Sequence, residues 1–277
     1  MITPLPPYAV ASLSTRETRM LIISDLHVGW EMALSSKGIH VPSQMPKLLA
    51  RLLNLLSEYK PDRLLILGDV KHTIATAEIG EWHDIPDLFN ELKTKVQQIL
   101  VIRGNHDGNL EPLLPDNVEL LPATGFVFGE TGFFHGHQWP TPSILQCKSL
   151  VMGHVHPVVA FHDPAGFRIT RQVWVKIRCD RKRLAHAILK RHNQKEEVRT
   201  LESLNAEPET IELLIMPSFN DFLGGRPLNE SRLTSGQLNE TIAGPVLRSD
   251  AVDLENAEMY LLDGTFLGTL GQLRSLG

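Results

Sequence analysis

Five short polar clusters hold the residues that could do chemistry. They are Asp25-Leu26-His27, Gly68-Asp69, Gly104-Asn105-His106-Asp107, His135-Gly136-His137 and Gly153-His154-Val155-His156. Each closes an apolar run that reads as a strand, and strand ends are where open α/β sheets gather ligand sites. Among them two aspartates, one asparagine and several imidazoles make a mixed oxygen and nitrogen set suited to manganese, iron, zinc or a similar divalent ion. Seven donors of this kind are too many for one ion that must also leave room for a substrate. They suit two ions about 3.5–4 Å apart, with one carboxylate bridging and an open face for water and a phosphate. A single D-x-H or G-N-H is weak, because Asp, Asn and Gly are ordinary turn residues. Five such clusters in order, each behind an apolar strand, do not arise from turn chemistry.

The elements that must position these clusters follow from periodicity. Residues 20–24 (MLIIS), 63–68 (RLLILG) and 99–103 (ILVIR) read as buried strands. Between them, Leu48, Leu49, Leu52, Leu53, Leu55 and Leu56 line one face of a helix with Ser43 as N-cap and Pro61 as its stop, and a second helix is expected over much of Ala77 to Leu92. That β-α-β-α-β order implies parallel strands with helical crossovers. After Pro115 the segments shorten to VELL, GFVF, TGFFH, SLVMGH and VVAFH, expected as antiparallel strands of a second sheet. IELLIM (211–216) resumes a core strand. Ser231 to Thr241 reads as irregular, and AEMYLLDGTFLGTL as a closing hairpin around Asp263-Gly264.

Composition bounds the answer. The chain has 277 residues, 42% hydrophobic and 21% charged, which excludes collagen, a coiled coil and wholesale disorder. No apolar run is long enough to span a bilayer and the N-terminus lacks the pattern of a secretion signal, so a cytoplasmic chain with no membrane partner is expected. Cys147 and Cys179 cannot make a disulfide framework or a thiolate zinc site, although one bridge between them is open. Net charge is −5, but it is segregated: Arg168 to Arg199 carries 11 Lys and Arg against 3 Asp and Glu.

D-x-H, G-D, G-N-H-D, H-G-H and G-H-x-H in this order resemble the calcineurin-like metallophosphoesterases, over residues 20 to about 162. The resemblance implies an α/β fold, a four-layer α/β/β/α sandwich of two mixed sheets flanked by helices, with a dinuclear site at the sheet edge. It implies Asp25, His27, the bridging Asp69 and His156 around one ion, and Asp69, Asn105, His135 and His154 around the other. The cofactors expected are therefore two divalent ions per chain, manganese first, with iron, nickel or zinc as alternatives. His106 would face the scissile phosphate. In GDVKH, the positions where the protein phosphatases of the superfamily carry Asp and then Arg are His72 and Thr73 here. This is similar to the nuclease branch. DLHVGWE, GDVKH, HGHQWP, GHVHP and a late PSFN followed by Gly224-Gly225 look like the archaeal SbcD-related phosphoesterases over nearly the full chain. The basic segment between Val175 and Thr210 is longer than in that group, and no counterpart of the nuclease capping domain is expected.

The expected activity is hydrolysis of a phosphoester, preferentially a diester, by a hydroxide activated between two metal ions. The substrate class is nucleic acid, single-stranded in particular, or nucleotides. His106 acts at the leaving-group oxygen, with Asp107 or His72 orienting it. Lys71 and His137 are the candidates to touch the substrate; a solvated lysine and an orienting hydrogen bond are their plainer roles. Trp82 and Trp139 could stack on a base, with packing the default. A phosphomonoesterase or cyclic-nucleotide phosphodiesterase is the alternative within enzymes, and a non-catalytic metal-binding scaffold the alternative outside them. The chain reads as a single domain, 1–277, with a basic insertion at about 176–210 and a C-terminal extension at about 217–277. In the basic stretch Ile169, Val173, Val175 and Ile177 are expected inward, followed by a helix or arm with Leu184, Ile188 and Leu189 partly buried. Its plain role is a solvated flap or dimer contact. Its functional role would be a funnel drawing an anionic strand toward the metals through Arg181, Lys182 and Arg183.

Overall fold

The apolar runs become strands buried on both faces, which requires a layer of structure on each side of every sheet. The computed structural model describes residues 2–35, 37–75, 77–192, 209–230 and 244–276. Its first sheet runs β1 (Ile2–Pro4), β2 (Ala11–Ser14), β3 (Arg19–Ile23), β4 (Arg63–Ile66), β5 (Gln98–Ile102) and β6 (Val118–Leu121), in that spatial order. From β3 to β6 the strands are parallel, while β1, β2 and β3 are joined antiparallel. The short helix α1 (Trp30–Ser35) and α2 (Met45–Tyr59) lie between β3 and β4, and α3 (Ile79–Lys93) between β4 and β5.

The second sheet has the order β14 (Phe266–Thr269), β13 (Glu258–Leu261), β11 (Arg168–Asp180), β12 (Thr210–Ile215), β9 (Ser149–Met152), β8 (Thr131–Phe134) and β7 (Phe126–Phe128). β10 (Val158–His162) pairs with the first part of β11. Helices α4 (Arg181–Arg191) and α5 (Leu270–Ser275) are the remaining α-helices among the described residues.

Alternation along single strands builds three apolar layers. In β5, Ile99 and Val101 face Leu52, Leu56, Ile85 and Phe89 of the helices, while Leu100 and Ile102 face Phe133, Val151, Trp174 and Leu214 of the other sheet. The outer face of the second sheet packs Val175, Ile177 and Leu213 against Leu184 and Ile188 of α4. The result is the mixed α/β, two-sheet architecture that the sequence resemblance implies.

Several local expectations need correction. VELL is strand β6 of the first sheet, not a member of the second, because the chain after β5 returns to that sheet's open edge. The second sheet is mixed, with β8, β9 and β12 parallel: the 3₁₀ helix Pro142–Gln146 provides a crossover that short-strand periodicity does not reveal. Helix α2 begins one residue later than Ser43 predicts, with Gln44 at the cap, while Ser43 Oγ accepts from the Met45 amide at 3.3 Å. Strands β1 and β2 have no counterpart in the sequence reading.

In the basic stretch Val173, Val175 and Ile177 are buried, but Ile169 is 45% exposed on the protruding β10–β11 hairpin. Leu184, Ile188 and Leu189 are buried in α4, which Asp180 caps through the Arg183 amide. Arg181 turns inward onto the carbonyls of Leu145 and Cys147 and does not join a surface funnel. Residues 193–199 of that stretch, and Ser231 to Thr241, lie outside the described residues. Cys147 and Cys179 are both free and buried, and burial pushes the Cys179 thiol up to about 12. Trp139 packs against the second sheet's core, whereas Trp82 is half exposed. No helix among the described residues is long and apolar enough to cross a membrane.

Candidate metal centre

The five clusters meet where the carboxyl ends of β3, β4 and β5 face the ends of β8 and β9. Their backbones leave extended geometry there. Asp25, His27, Asp69, His154 and His156 all have positive φ, a conformation that costs energy for residues with a side chain and clusters at functional sites. Neighbouring strand ends supply the bonds that hold them: the amides of Asp25, His27 and Val28 donate to the carbonyls of Gly68, Asp69 and Val70. A Cβ on Gly104 would lie 2.1 Å from Asp69 Oδ1, and one on Gly153 1.7 Å from Ser24 Oγ, so these glycines are conditions of the close approach.

Side-chain donors converge accordingly. His27 Nε2 lies 3.3 Å from His156 Nε2 and 3.4 Å from Asp69 Oδ2, and His156 Nε2 lies 3.2 Å from Asp25 Oδ1. On the other side of Asp69, His135 Nε2 is 3.3 Å from Asp69 Oδ2 and 3.2 Å from Asn105 Oδ1. Asp25, His27, Asp69 and His156 form one compact group of donor atoms, Asp69, His135 and His154 a second, and His27, His72 and His106 a third.

The electrostatics are those of buried carboxylates among buried imidazoles. Burial alone would lift Asp25 and Asp69, but His156 beside Asp25 and His135 beside Asp69 hold both below the usual carboxylate range. His135 is driven down by burial, yet Asp69 and then Asp25 outweigh that and lift it to about 9. His27 and His154 are depressed by burial, to about 3 and about 4. His135 Nδ1 donates to the Leu67 carbonyl at 2.5 Å, leaving Nε2 as the donor toward Asp69.

A family model described as Calcineurin-like phosphoesterase matches residues 18–194. The chain belongs to that family. It is a metallophosphoesterase, a hydrolase of phosphoester bonds. Among solved structures, it is similar to a nuclease MPE of Pseudomonas putida, with 21% identity over 95% of this chain and 98% of the other and a TM-score of 0.49. It is also similar to YfcE, a phosphoesterase from E. coli, with 22% identity over 52% of this chain and 73% of the other and a TM-score of 0.33.

The donor set of this calcineurin-like phosphoesterase fits divalent cations. Donor atoms 3.2–3.4 Å apart are at the edge lengths of a coordination polyhedron with bonds of about 2.0–2.2 Å. Nδ1 atoms of His27, His72 and His137 are buried without a hydrogen-bond partner among the described residues.

Two expected roles change. Asp107 does not reach the His106 ring: it is fully buried, its Oδ1 accepts from the amides of Val70 and Lys71, and its Oδ2 accepts from the Gly104 amide. Burial, then Asp69, raises it to about 6. Lys71 is fully buried with its ammonium on the carbonyls of Thr73 and Ile74, because the loop after β4 turns back over it. The His106 ring is oriented by a backbone group, Nδ1 donating to the His72 carbonyl, and its amide donates to Asp69 Oδ1 at 2.9 Å. His137 is half-buried, its ring 5.3 Å from that of His135. Burial and His135 lower it to about 4.

Glu81, which lies in none of the five clusters, also bears on the centre. This carboxylate is buried, and its Oε1 accepts from the amides of His72 and Thr73 and from the Thr73 hydroxyl, while Oε2 accepts from the Glu78 amide. The pairing of Glu78 with Glu81 at the start of α3 is the signal that could have found it.

Proposed function

We propose that this phosphoesterase hydrolyses phosphodiesters, of nucleic acid or nucleotides, with two divalent ions, manganese first. Asp25, His27, Asp69 and His156 hold one ion, and Asp69, Asn105, His135 and His154 hold the other. The observation that carries the reading is that two compact groups of donors share Asp69. When bound, the ions lower the pKa of water and neutralise phosphate oxygens, so no side-chain nucleophile is needed.

The chain's own residues do the rest. His106 donates a hydrogen bond from Nδ1 to the His72 carbonyl, so Nε2 is the ring atom left to meet the leaving oxygen, as a proton donor or a cationic stabiliser when the ring is protonated. Asp107 and Glu81 act through the loops, the former joining Gly104 to Val70 and Lys71, the latter fixing the amides of His72 and Thr73. Diesters are favoured because His72 and Thr73, beside the donors, carry no fixed charge and Lys71 turns its ammonium onto the carbonyls of Thr73 and Ile74. A monoester dianion calls for a fixed cation there. Residues 1–277 act as one unit, since donor loops come from both sheets and β13 and β14 extend the second.

Asp69→Asn removes the shared carboxylate and should abolish manganese-dependent hydrolysis of bis(p-nitrophenyl) phosphate, a loss of at least 100-fold in kcat/KM. Full turnover by that variant would sink the assignment. A panel of generic diester, generic monoester, cyclic nucleotides and single-stranded DNA and RNA decides the substrate class.

A further inference from the structure

The loop after β12, residues 217–225, lies outside the segment matched by the family model and comes from the second sheet. It nevertheless reaches across to the first. The Phe219 amide donates to the Ser24 carbonyl at 2.8 Å, Ser218 Oγ to the Asp25 carbonyl at 2.8 Å, and Asn220 Nδ2 to the Leu26 carbonyl at 2.9 Å. Three consecutive carbonyls are thus met by three consecutive residues. Farther along, the Gly225 amide donates to the His156 carbonyl at 3.0 Å, and a Cβ at Gly225 would lie 2.4 Å from that oxygen. Ser218 and Asn220 are buried, 0% and 5% exposed, so their bonds are not in exchange with bulk water.

These carbonyls need donors for a reason. Positive φ at Asp25 and His27 takes the chain out of the sheet ladder, and such backbone persists only where its surroundings over-determine it. The loop is itself anchored. Arg51 of α2 donates to the Phe219 carbonyl at 3.3 Å, lies over the Phe219 ring and pairs with Asp221 at 2.6 Å, and Gln172 Nε2 donates to the Ser218 carbonyl at 2.9 Å.

The selectivity of the contacts matters most. Asp25, His27 and His156 belong to one donor group. Among the hydrogen bonds of the described residues, none joins loop 217–225 to Asn105, His135 or His154. We infer that Ser218 and Asn220 are positioning residues that set the affinity of one metal site, the Asp25–His27–Asp69–His156 site, and leave the other unchanged. This rests on the dinuclear reading above.

Calorimetric titration of manganese into metal-free protein tests it, with wild type, Ser218→Ala, Asn220→Leu and the double variant compared. The double variant should bind one ion per chain with wild-type affinity and the second about 10- to 100-fold more weakly, the usual effect of losing a partner that orients a ligand. At one equivalent of manganese its paramagnetic resonance spectrum should show an isolated ion. Ser218→Thr, which keeps the hydroxyl, should restore most of the loss of Ser218→Ala. Asn229 serves as a control for a merely structural effect, because it bonds the Ala160 amide and carbonyl at 2.9 and 2.8 Å away from the donors. Asn229→Ala should lower the Tm without changing either affinity. Two unchanged affinities in the double variant, or two weakened alike, would overturn the inference. A wild-type protein that takes up fewer than two ions overturns the dinuclear reading itself, and the selectivity with it.

Discussion

At the scale of single residues, the centre is a set of buried carboxylates and imidazoles that shift one another's protonation. His135 in the metal-free protein keeps its proton up to about 9 because Asp69 and Asp25 outweigh the cost of burying it. An ion needs that nitrogen as a lone pair, so binding must release a proton wherever the pH lies below that value. Manganese affinity should therefore rise between pH 6 and 9, by roughly tenfold per unit for each proton displaced. Calorimetry in two buffers of different ionisation enthalpy reads the number released. An affinity flat across this range would show that metal binding displaces no proton from His135.

Elements contribute by ending in the right place. The parallel strands β3, β4 and β5 deliver Asp25, Asp69 and Asn105 to one edge, and the parallel pair β8 and β9 delivers His135 and His154 opposite. Closeness of β4 to β5 at that edge is set by Gly104. Gly104→Ala would place a methyl 2.1 Å from Asp69 Oδ1 and 2.3 Å from the Asp69 amide nitrogen. Backbone cannot yield that much cheaply, so the variant should lower the Tm and weaken manganese binding at least tenfold. Wild-type binding by a folded Gly104→Ala protein would mean that the strand ends are looser than their contacts imply.

For the molecule as a whole, the grouped donors come from both sheets, so metal bound there would fasten one sheet to the other. Ligands that bind only the folded state stabilise it by mass action, by about 2.7 kcal/mol at a free concentration 100 times Kd. Manganese at that level should raise the Tm by roughly 5 °C or more, and a chelator should remove the gain. A Tm indifferent to both would argue against ions at the sheet junction. The charged surface is smaller than the sequence suggests, because Arg181, first of the basic trio that opens α4, is committed to the carbonyls of Leu145 and Cys147.

The sequence by itself determined the strands that end in polar clusters, the two helices between them and the identities of the clustered residues. Those properties are local, written in apolar runs and in the few side chains that bind divalent ions. Tertiary structure decided what depends on distant pairing. Strand β6 joined the first sheet, because a short half-buried strand carries no mark of its partner. Lys71 and Asp107, one residue from His72 and His106, turned into the interior, since adjacency does not fix direction at a loop. Glu81 and the Ser218–Asn220 loop came to bear on the centre through backbone amides and carbonyls, which every residue has and which no sequence pattern distinguishes.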